Sequence, residues 1–335
     1  MADVSADRPV GGTIVTPARK RGTIGRTIAG TLTWLAVTPL AAWAIARLTG
    51  VERGSLASQL MTATPYAAAS SLVPLLMAAA GRRRAATAVA LLTTTAFGFA
   101  VLPRALGSAE ATVGRPLRVL TVNMLFGRAD AQAIVDLAQR YDADVLSTQE
   151  LTPGAVADLD AAGLKTLMPH RVLQDEWSAS GSGLFSRHPL TPLDHEMPQV
   201  GHHMPAALIA LPGGKPIEFL DVHTFTPLGP QVANWNAAFD AFPPPSKETV
   251  RVLAGDFNAT LDHAPMRRLL ARGYKDAADT VGAGLVPTWP ANKRVPPIIT
   301  IDHVLVDERV GVKEVSVHTV PQTDHRAVFA VLSVP

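Results

Sequence analysis

Acidic, amide and imidazole side chains recur where predicted β-strands of the second half of the chain begin or end. Asn123 closes one apolar run, Glu150 follows the next, and Asp256-Phe257-Asn258 follows a third. The strand-end residues that could converge in this way are Asn123, Glu150, His223, Asp256, Asn258, Asp302 and His325. Separate strand ends can converge on one acidic pocket, and carboxylate and amide oxygens are the ligands that Mg²⁺ prefers. The pattern therefore predicts a site for a hard divalent cation.

The composition narrows the chemistry and divides the 335-residue chain in two. The chain has no cysteine, which excludes disulfide scaffolds, thiolate zinc sites, iron–sulfur clusters and cysteine nucleophiles. Residues 1–104 carry eleven Lys/Arg against three Asp/Glu, whereas residues 105–335 carry nineteen against twenty-five and all ten histidines. The sequence therefore indicates a basic, apolar front end joined to an acidic globular domain.

The globular domain alternates short apolar runs with a few helical patterns. Strands are predicted at 117–122, 145–147, 206–211, 217–222, 250–254, 301–306, 312–317 and 327–332, and helices at 131–140, 152–162, 231–242 and 264–271. Strands that outnumber helices over this length predict an α+β fold, a two-layer sheet assembly flanked by helices. Residues 105–335 are predicted to form this one domain.

The front end contains three uncharged stretches long enough to cross a bilayer, at 27–46, 60–80 and 85–102. Prolines within them are tolerated in membrane helices. About three transmembrane helices are therefore predicted within residues 27–104. A buried helical bundle is the alternative interpretation.

Positive charge predicts the orientation of these spans. Five Lys/Arg precede the first stretch and Arg82, Arg83 and Arg84 separate the second from the third, whereas the first loop has only Arg47 and Arg53. The basic tail 1–26 is therefore expected in the cytoplasm. Three crossings would make a multi-pass protein of the cell membrane and place the globular domain on the extracytoplasmic side. Loss of the weakest stretch, 85–102, would return that domain to the cytoplasm.

The ordered polar motifs resemble those of the endonuclease/exonuclease/phosphatase superfamily, over about residues 118–332. The motifs are Val-Asn123-Met, Gln149-Glu150, Ser182-Gly-Leu-Phe-Ser-Arg187, Asp221-Val-His223-Thr224, Gly255-Asp256-Phe257-Asn258-Ala-Thr260, Thr288-Trp289, Ile301-Asp302-His303-Val304 and Thr323-Asp324-His325. The resemblance implies a DNase I-like two-layer β-sandwich and divalent-metal-dependent hydrolysis of phosphate esters, with Mg²⁺ or Mn²⁺ as cofactor.

The resemblance also implies roles for individual residues. Glu150 would be the principal metal ligand, with Asn123 beside it, and Asp324 would supply a further metal or phosphate contact. Asp256 would orient or deprotonate the attacking water. Such groups meet what in-line hydrolysis of a phosphoester requires.

The remaining motif residues would act on the phosphate and on developing charge. Asn258 and His223 would hold phosphoryl oxygens. His325, oriented by the carboxylate of Asp302, would act as an acid/base or stabilise negative charge. Arg187 would contact phosphate or brace the site.

Several neighbouring residues have a simpler structural interpretation. Asp221 is expected to support the site from behind, and His303 to form a structural pair at a strand start. His202 and His203 are expected in a solvated loop, because adjacent residues on an extended segment point to opposite faces. Trp289 is a candidate for the lining of the substrate cleft.

The substrate class stays open between a lipid headgroup and nucleic acid, and between monoester and diester. Duplex nucleases use basic tracks along the phosphate backbone, but the globular domain is acidic, with no basic run beyond Arg267-Arg268. An outward-facing domain held at a bilayer favours a membrane-proximal phosphodiesterase or phosphatase. A membrane-tethered, non-catalytic binding or scaffold protein on the same fold is the alternative.

Overall fold

A computed structural model of the protein describes residues 19–193, 201–291 and 295–335, with side chains from residue 25 onward. Helices form the front end of the described chain. They are α1 (Arg19–Thr49), α2 (Gly54–Met61), α3 (Thr64–Ser70), α4 (Leu72–Ala80) and α5 (Arg84–Val101), followed by a 3₁₀ turn (Leu102–Ala105).

Two of these helices have the length and hydropathy of a membrane span. Gly25–Thr49 and Arg84–Ala105 qualify, and they contain the stretches predicted at 27–46 and 85–102. The front-end helices expose large apolar side chains, among them Ile28, Leu32, Leu35, Leu76, Leu92 and Phe99. An exposed apolar surface of this kind needs a non-aqueous partner.

The stretch predicted at 60–80 is not one uninterrupted helix. Gly54–Met61 and Thr64–Ala80 are bent by 62° across a short break, and the two pass as a span only when they are taken together. Pro65 has no N–H to donate to the carbonyl of Met61, and the hydroxyl of Thr64 donates to that carbonyl instead, at 2.8 Å. The described residues therefore contain two unbroken spans, where about three were predicted.

The rest of the described chain forms two six-stranded sheets. The strands are β1 (Arg115–Asn123), β2 (Val145–Gln149), β3 (His170–Gln174), β4 (Ser182–Ser186), β5 (Leu190–Leu193), β6 (Ala206–Ile209), β7 (Ile217–His223), β8 (Arg251–Asp256), β9 (Tyr274–Asp276), β10 (Asp302–Asp307), β11 (Gly311–Thr319) and β12 (Arg326–Val334). The strand orders are β11-β12-β1-β2-β4-β3 and β5-β6-β7-β8-β10-β9.

Helices cover the outer face of each sheet. They are α6 (Ala131–Arg140), α7 (Pro153–Ala161), α8 (Leu164–Leu167), α9 (Gln231–Ala241) and α10 (Ala264–Leu270), whereas α11 (Ala277–Thr280) adds Ala277 to the core between the sheets. One apolar core lies between the sheets, a second lies under α6 and α7, and a third lies under α9 and α10. The predicted α+β architecture of two sheets with flanking helices is confirmed.

Parallel pairing within each sheet sets the position of the site. β1 runs parallel to β2, and β7 runs parallel to β8. In register, Asn123 pairs with Gln149 and His223 pairs with Asp256, while Asp302 of antiparallel β10 lies opposite Asp256. The polar ends of these strands therefore lie at one edge of the stacked sheets.

The front-end helices pack against the globular domain through a buried carboxylate. Asp262 accepts two hydrogen bonds from Arg104, at 2.7 and 2.8 Å, and one from Arg47 at the end of α1, at 2.5 Å. Burial alone would raise the pKa of Asp262, but the hydrogen bonds and charge of Arg104 and the charge of Arg47 hold it below its usual range. Both spans thus meet the globular domain at the same carboxylate.

Replacing this carboxylate should separate or unfold the two parts. Asp262→Asn leaves the buried guanidinium groups of Arg47 and Arg104 uncompensated, and we expect a loss of about 3–5 kcal/mol in the free energy of unfolding. Thermal unfolding of the full chain in detergent measures this loss. Asp240→Asn is the matched control, because Asp240 pairs with Arg268 on the exposed surface. Equal stability of the two variants would contradict the structural role of Asp262.

Candidate active site

A cavity of about 410 Å³ opens at the edge where the strand ends meet. Six of the predicted site residues line it: Glu150, His223, Asp256, Asn258, Asp324 and His325. Asn123 and Asp302 lie directly behind this lining, hydrogen-bonded to Glu150 and His325 respectively. The structure therefore brings together eight of the nine predicted residues.

Asn123 links the two sheets at the bottom of the cavity. Its amide nitrogen donates to Oε1 of Glu150 and to Oδ2 of Asp256, both at 3.1 Å, and its Oδ1 accepts from the backbone N–H of Leu125 at 2.9 Å. Oε2 of Glu150 accepts from the N–H of Phe126 at 2.8 Å. Burial raises the pKa of Glu150, although the hydrogen bonds from Asn123 and Phe126 oppose that rise. The negative charge of Glu150 is therefore poorly solvated.

Two of the lining residues have left-handed backbones. Glu150 has a φ of 54° and Asn258 a φ of 47°, a conformation that costs energy for residues other than glycine. Glu150 directly follows the last residue of β2, and Asn258 lies two residues after the last residue of β8. The strained backbone turns each side chain into the cavity instead of along the sheet.

His325 lies between two carboxylates. Its Nδ1 is 3.0 Å from both oxygens of Asp302, and its Nε2 is 3.7 Å from Oδ2 of Asp256. Burial alone would lower the pKa of His325, but Asp302 and Asp256 raise it to about 10. Burial raises the pKa of Asp256 to about 7, and the imidazolium of His325 opposes that rise. The arrangement holds a positive charge beside the carboxylate of Asp256.

A second, neutral imidazole lies near the same oxygen of Asp256. Nε2 of His223 is 4.0 Å from Oδ2 of Asp256, and its ring stacks on that of His202 at 4.1 Å. Burial lowers the pKa of His223 well below its usual value and that of His202 to about 4. His202 was predicted to lie in a solvated loop, but it lines the cavity.

The other two predicted residues in the lining, Asn258 and Asp324, are also held by hydrogen bonds. Asn258 donates from its side chain to the carbonyl of Thr224 at 2.9 Å, and its N–H donates to Oδ1 of Asp256 at 2.8 Å. Asp324 accepts from the indole N–H of Trp289 at 3.1 Å. The prediction that Trp289 lines the cleft is confirmed.

Arg187 is the predicted site residue that does not reach the cavity. It follows β4 at the end remote from Ser182, and its guanidinium pairs with Asp142. Five residues of extended chain separate Arg187 from Ser182, about 16 Å. The structure gives Arg187 a bracing ion pair at the opposite end of the sheet.

Asp221 and His303 have the structural roles expected of them. His303 is buried between Oδ2 of Asp276 and the carbonyl of Ala259, each at 2.8 Å. Asp221 accepts hydrogen bonds from Ser147, Gln149 and the N–H of Gly183. The Gln149 contact fixes the residue that precedes Glu150.

The buried carboxyl of Asp221 should make stability depend on pH. Burial raises its pKa to about 8, so the folded state keeps a proton that the unfolded state releases above about pH 4. Its contribution to stability is therefore complete at low pH and is lost as pH rises towards 8. Asp221→Asn should show a smaller decrease in the free energy of unfolding between pH 5 and 8 than the wild type. Parallel curves in denaturant titrations would contradict this assignment.

Front-end residues complete the wall of the cavity, which the sequence motifs did not indicate. Gln59 and Thr62, at the bend between α2 and α3, line it beside Phe126 and Leu228. Gln59 and Ser55 both donate to the carbonyl of Pro227, at 3.4 Å. The sequence feature that could have indicated these two residues is their polar character where the apolar stretch 60–80 begins.

The lining fits a hard divalent cation. Glu150, Asp256 and Asp324 bring three carboxylates to one cavity, and none of its described lining residues is a lysine or arginine. Carboxylates that converge where no described lining residue is a lysine or arginine favour a cation with oxygen ligands. Asp256, Asp302 and His325 also lie within ligand distance of one another, but the bonds of His325 to Asp302 make that trio a hydrogen-bonded unit. Glu150 is therefore the better ligand.

Comparisons with known proteins agree with this geometry. The model of the Endonuclease/Exonuclease/phosphatase family matches residues 120–325, more than half of the chain. The chain belongs to this family. Members of the endonuclease/exonuclease/phosphatase family generally hydrolyse phosphoester bonds and typically depend on a divalent metal. A search of curated proteins gives no significant match.

Several solved structures are similar to this chain. An endonuclease/exonuclease/phosphatase from Beutenbergia cavernae DSM 12333 matches at 19% identity and a TM-score of 0.49, covering 66% of this chain and 72% of its own. A functionally unknown conserved protein from Enterococcus faecalis V583 matches at 16% and 0.50, covering 65% and 100%. D. rerio TDP2, in complex with a single-strand DNA product, matches at 17% and 0.50, covering 65% and 99%. At these identities the likeness concerns the fold alone.

Proposed function

We propose that the protein is a membrane-anchored phosphoester hydrolase that depends on Mg²⁺ or Mn²⁺ and uses in-line attack by water. The observation that carries the proposal is the convergence of Glu150, Asp256 and His325 on one cavity, supported from behind by Asn123 and Asp302. The cavity combines several carboxylates with a buried imidazolium, which are the groups that phosphoryl transfer to water requires.

Some of these residues act on the attacking water and others act on the phosphate. Asp256 orients the attacking water and accepts its proton, with Oδ1 held by the N–H of Asn258. Asn258 and neutral His223 hold the phosphoryl oxygens. His325 stabilises the negative charge that develops as the bond from phosphorus to the leaving oxygen breaks. A cation held by Glu150, with Asn123 and Asp324 nearby, would supply Lewis-acid polarisation of the phosphate.

The direction of the two spans supports membrane anchoring through three crossings. Arg47 near the end of α1 and Arg104 just after α5 both contact Asp262, so these two helices end at the globular domain. At their other ends, the guanidinium of Arg83 donates to the carbonyl of Arg26 at 3.0 Å. Parallel spans require a return crossing between them, and the bent segment from Gly54 to Ala80 occupies that place.

The charge distribution supports a cytoplasmic N-terminus and an extracytoplasmic catalytic domain. The absence of cysteine allows a direct test, because Ser5→Cys and Asp240→Cys each introduce one thiol. A membrane-impermeant maleimide applied to intact cells should label the Asp240→Cys protein and spare the Ser5→Cys protein. The reverse pattern would place the catalytic domain in the cytoplasm.

A panel of substrates tests the activity and its class. The purified full chain should release phosphate or a phosphomonoester from at least one of DNA, RNA, sphingomyelin, phosphoinositides and generic esters, and EDTA should abolish that release. A chain that binds the cation but hydrolyses no ester would favour the non-catalytic scaffold. The described cavity lining has no lysine or arginine to follow a nucleic-acid backbone, which favours the lipid arm of the panel.

A further inference from the structure

A second cavity adjoins the active site on the side of the membrane helices. It measures about 320 Å³ and lies between the start of α3 and the catalytic domain. Thr62 and Ile299 line both cavities, so the two are neighbours at the bend between α2 and α3. The hydroxyl of Tyr66 in α3 donates to the carbonyl of Ile298 at 2.7 Å. This hydrogen bond connects the helical wall of the cavity to the wall formed by the catalytic domain.

The walls of this second cavity are mainly apolar. They include Pro65, Ala69, Leu261, Leu285, Pro287 and Ile298. Arg104 and Asp262 also line it, but their bidentate hydrogen bonds pair the two charges with each other. Leu285 and Ile298 are partly exposed to solvent, although both are large and apolar. Such a surface is suited to a hydrocarbon chain.

Its position connects the catalytic groups to the apolar helices. Pro65, Tyr66 and Ala69 belong to the segment that returns between the two spans, whereas Thr62 faces the catalytic cavity. Phe126 and Leu228, both half exposed, extend the apolar rim around the catalytic residues. A chain that leaves the apolar region beside Ala69 therefore meets the catalytic cavity at Thr62.

We infer that the active site acts on a membrane lipid, whose phosphoester lies at Glu150 and His325 and whose hydrocarbon chain lies in the second cavity. This inference rests on the proposed function and names its substrate class. The front-end helices are then part of the substrate site, because α3 forms one wall of the second cavity, which holds the hydrocarbon chain. Hydrolysis itself proceeds as described above, with water adding to phosphorus and the lipid alcohol or its headgroup leaving.

Photolabelling tests the position of the chain without requiring turnover. The probe is dodecyl phosphate with a diazirine near the end of its alkyl chain, added to the full-length protein in a neutral detergent. We expect labels on Leu285 and Ile298, which belong to the catalytic domain and not to the spans. Ala69→Trp should reduce those labels at least about tenfold by filling the cavity from its exposed edge. Ala157→Trp, an exposed substitution on α7, should leave them unchanged.

Hydrolysis of alkyl 4-nitrophenyl phosphates, from methyl to octyl, and of the matching alkyl phosphates supplies a separate readout. The ratio of kcat/KM for octyl to methyl should fall at least about tenfold in Ala69→Trp relative to Ala157→Trp, because buried methylenes dominate the difference between these esters. Labels confined to α1 and α5 would overturn the lipid assignment. An octyl-to-methyl ratio of kcat/KM that is equal in Ala69→Trp and Ala157→Trp would also overturn it. In either case, hydrolysis of the methyl ester would still support the proposed function. A wild-type protein that hydrolysed none of these esters would count against the proposed function. The positions of the photolabels would still show whether the alkyl chain binds in the second cavity.

Discussion

His325→Gln should lower kcat for phosphoester hydrolysis about 10³-fold and leave the fold intact. The imidazolium is held by both oxygens of Asp302 and faces Asp256, so its removal takes away the positive charge that lies beside Asp256 in the cavity. Loss of one preorganised electrostatic or acid–base group typically costs 10²–10⁴-fold in rate. Steady-state kinetics of the full chain measures the change.

His318→Gln is the matched control for that substitution. His318 lies on β11, where it hydrogen-bonds Ser316 and packs on Tyr141, away from the cavity. We expect kcat within about twofold of the wild type. A His325→Gln protein that retained more than a tenth of the wild-type kcat would remove His325 from the reaction.

Glu150→Gln should abolish high-affinity binding of Mn²⁺. Glu150 is a half-buried carboxylate in a cavity whose described lining has no lysine or arginine, and its side chain is fixed by Asn123 and the N–H of Phe126. Substitutions that only support a metal ligand typically cost 10–100-fold in affinity, so loss of a direct ligand should cost more than about 100-fold. Electron paramagnetic resonance of bound Mn²⁺ measures this independently of activity.

Glu176→Gln controls for the loss of one negative charge. Glu176 is exposed and hydrogen-bonds Ser180 outside the cavity. Its Mn²⁺ affinity should match that of the wild type. Equal Mn²⁺ affinity in Glu150→Gln and Glu176→Gln would show that Glu150 is not a ligand.

The sequence predicted those elements in which local pattern and tertiary environment agree. Helix α6 was predicted with its observed bounds, because its apolar face is regular and Asp130 caps its first turn. Strands β3, β4, β5 and β9 were not predicted. β4 contains Ser182 and Gly183 in a fully buried strand, and β5 contains Pro192, so neither shows the alternation of a half-buried strand.

The site was predictable where strand ends determine position. His223 and Asp256 end parallel neighbours and are paired in register, and the stacking of the two sheets brings Asn123, at the end of β1, to Asp256. Arg187 belongs to the same motif as Ser182, but the extended β4 carries it to the opposite end of the sheet. A motif indicates membership of a family, whereas strand direction decides which of its residues can meet.

Contributions from distant parts of the chain could not be predicted from local patterns. The stacking of His202 on His223 depends on how the chain returns to β6. The approach of Gln59 and Thr62 depends on the docking of α1 and α5 through Asp262. The sequence shows a proline at position 65, which indicates a bend. That this bend brings Gln59 and Thr62 to the wall of the active-site cavity follows only from the packing of the helices.

The most direct test of the central claim is hydrolysis of bis(4-nitrophenyl) phosphate and 4-nitrophenyl phosphate by the purified full chain, with Mn²⁺, with EDTA, and after Mn²⁺ is restored. The proposal predicts release of 4-nitrophenol from at least one ester, loss with EDTA, recovery with Mn²⁺, and no recovery in Glu150→Gln. A folded chain that hydrolysed neither ester, or whose hydrolysis persisted in EDTA and in Glu150→Gln, would contradict a metal-dependent hydrolase at this cavity.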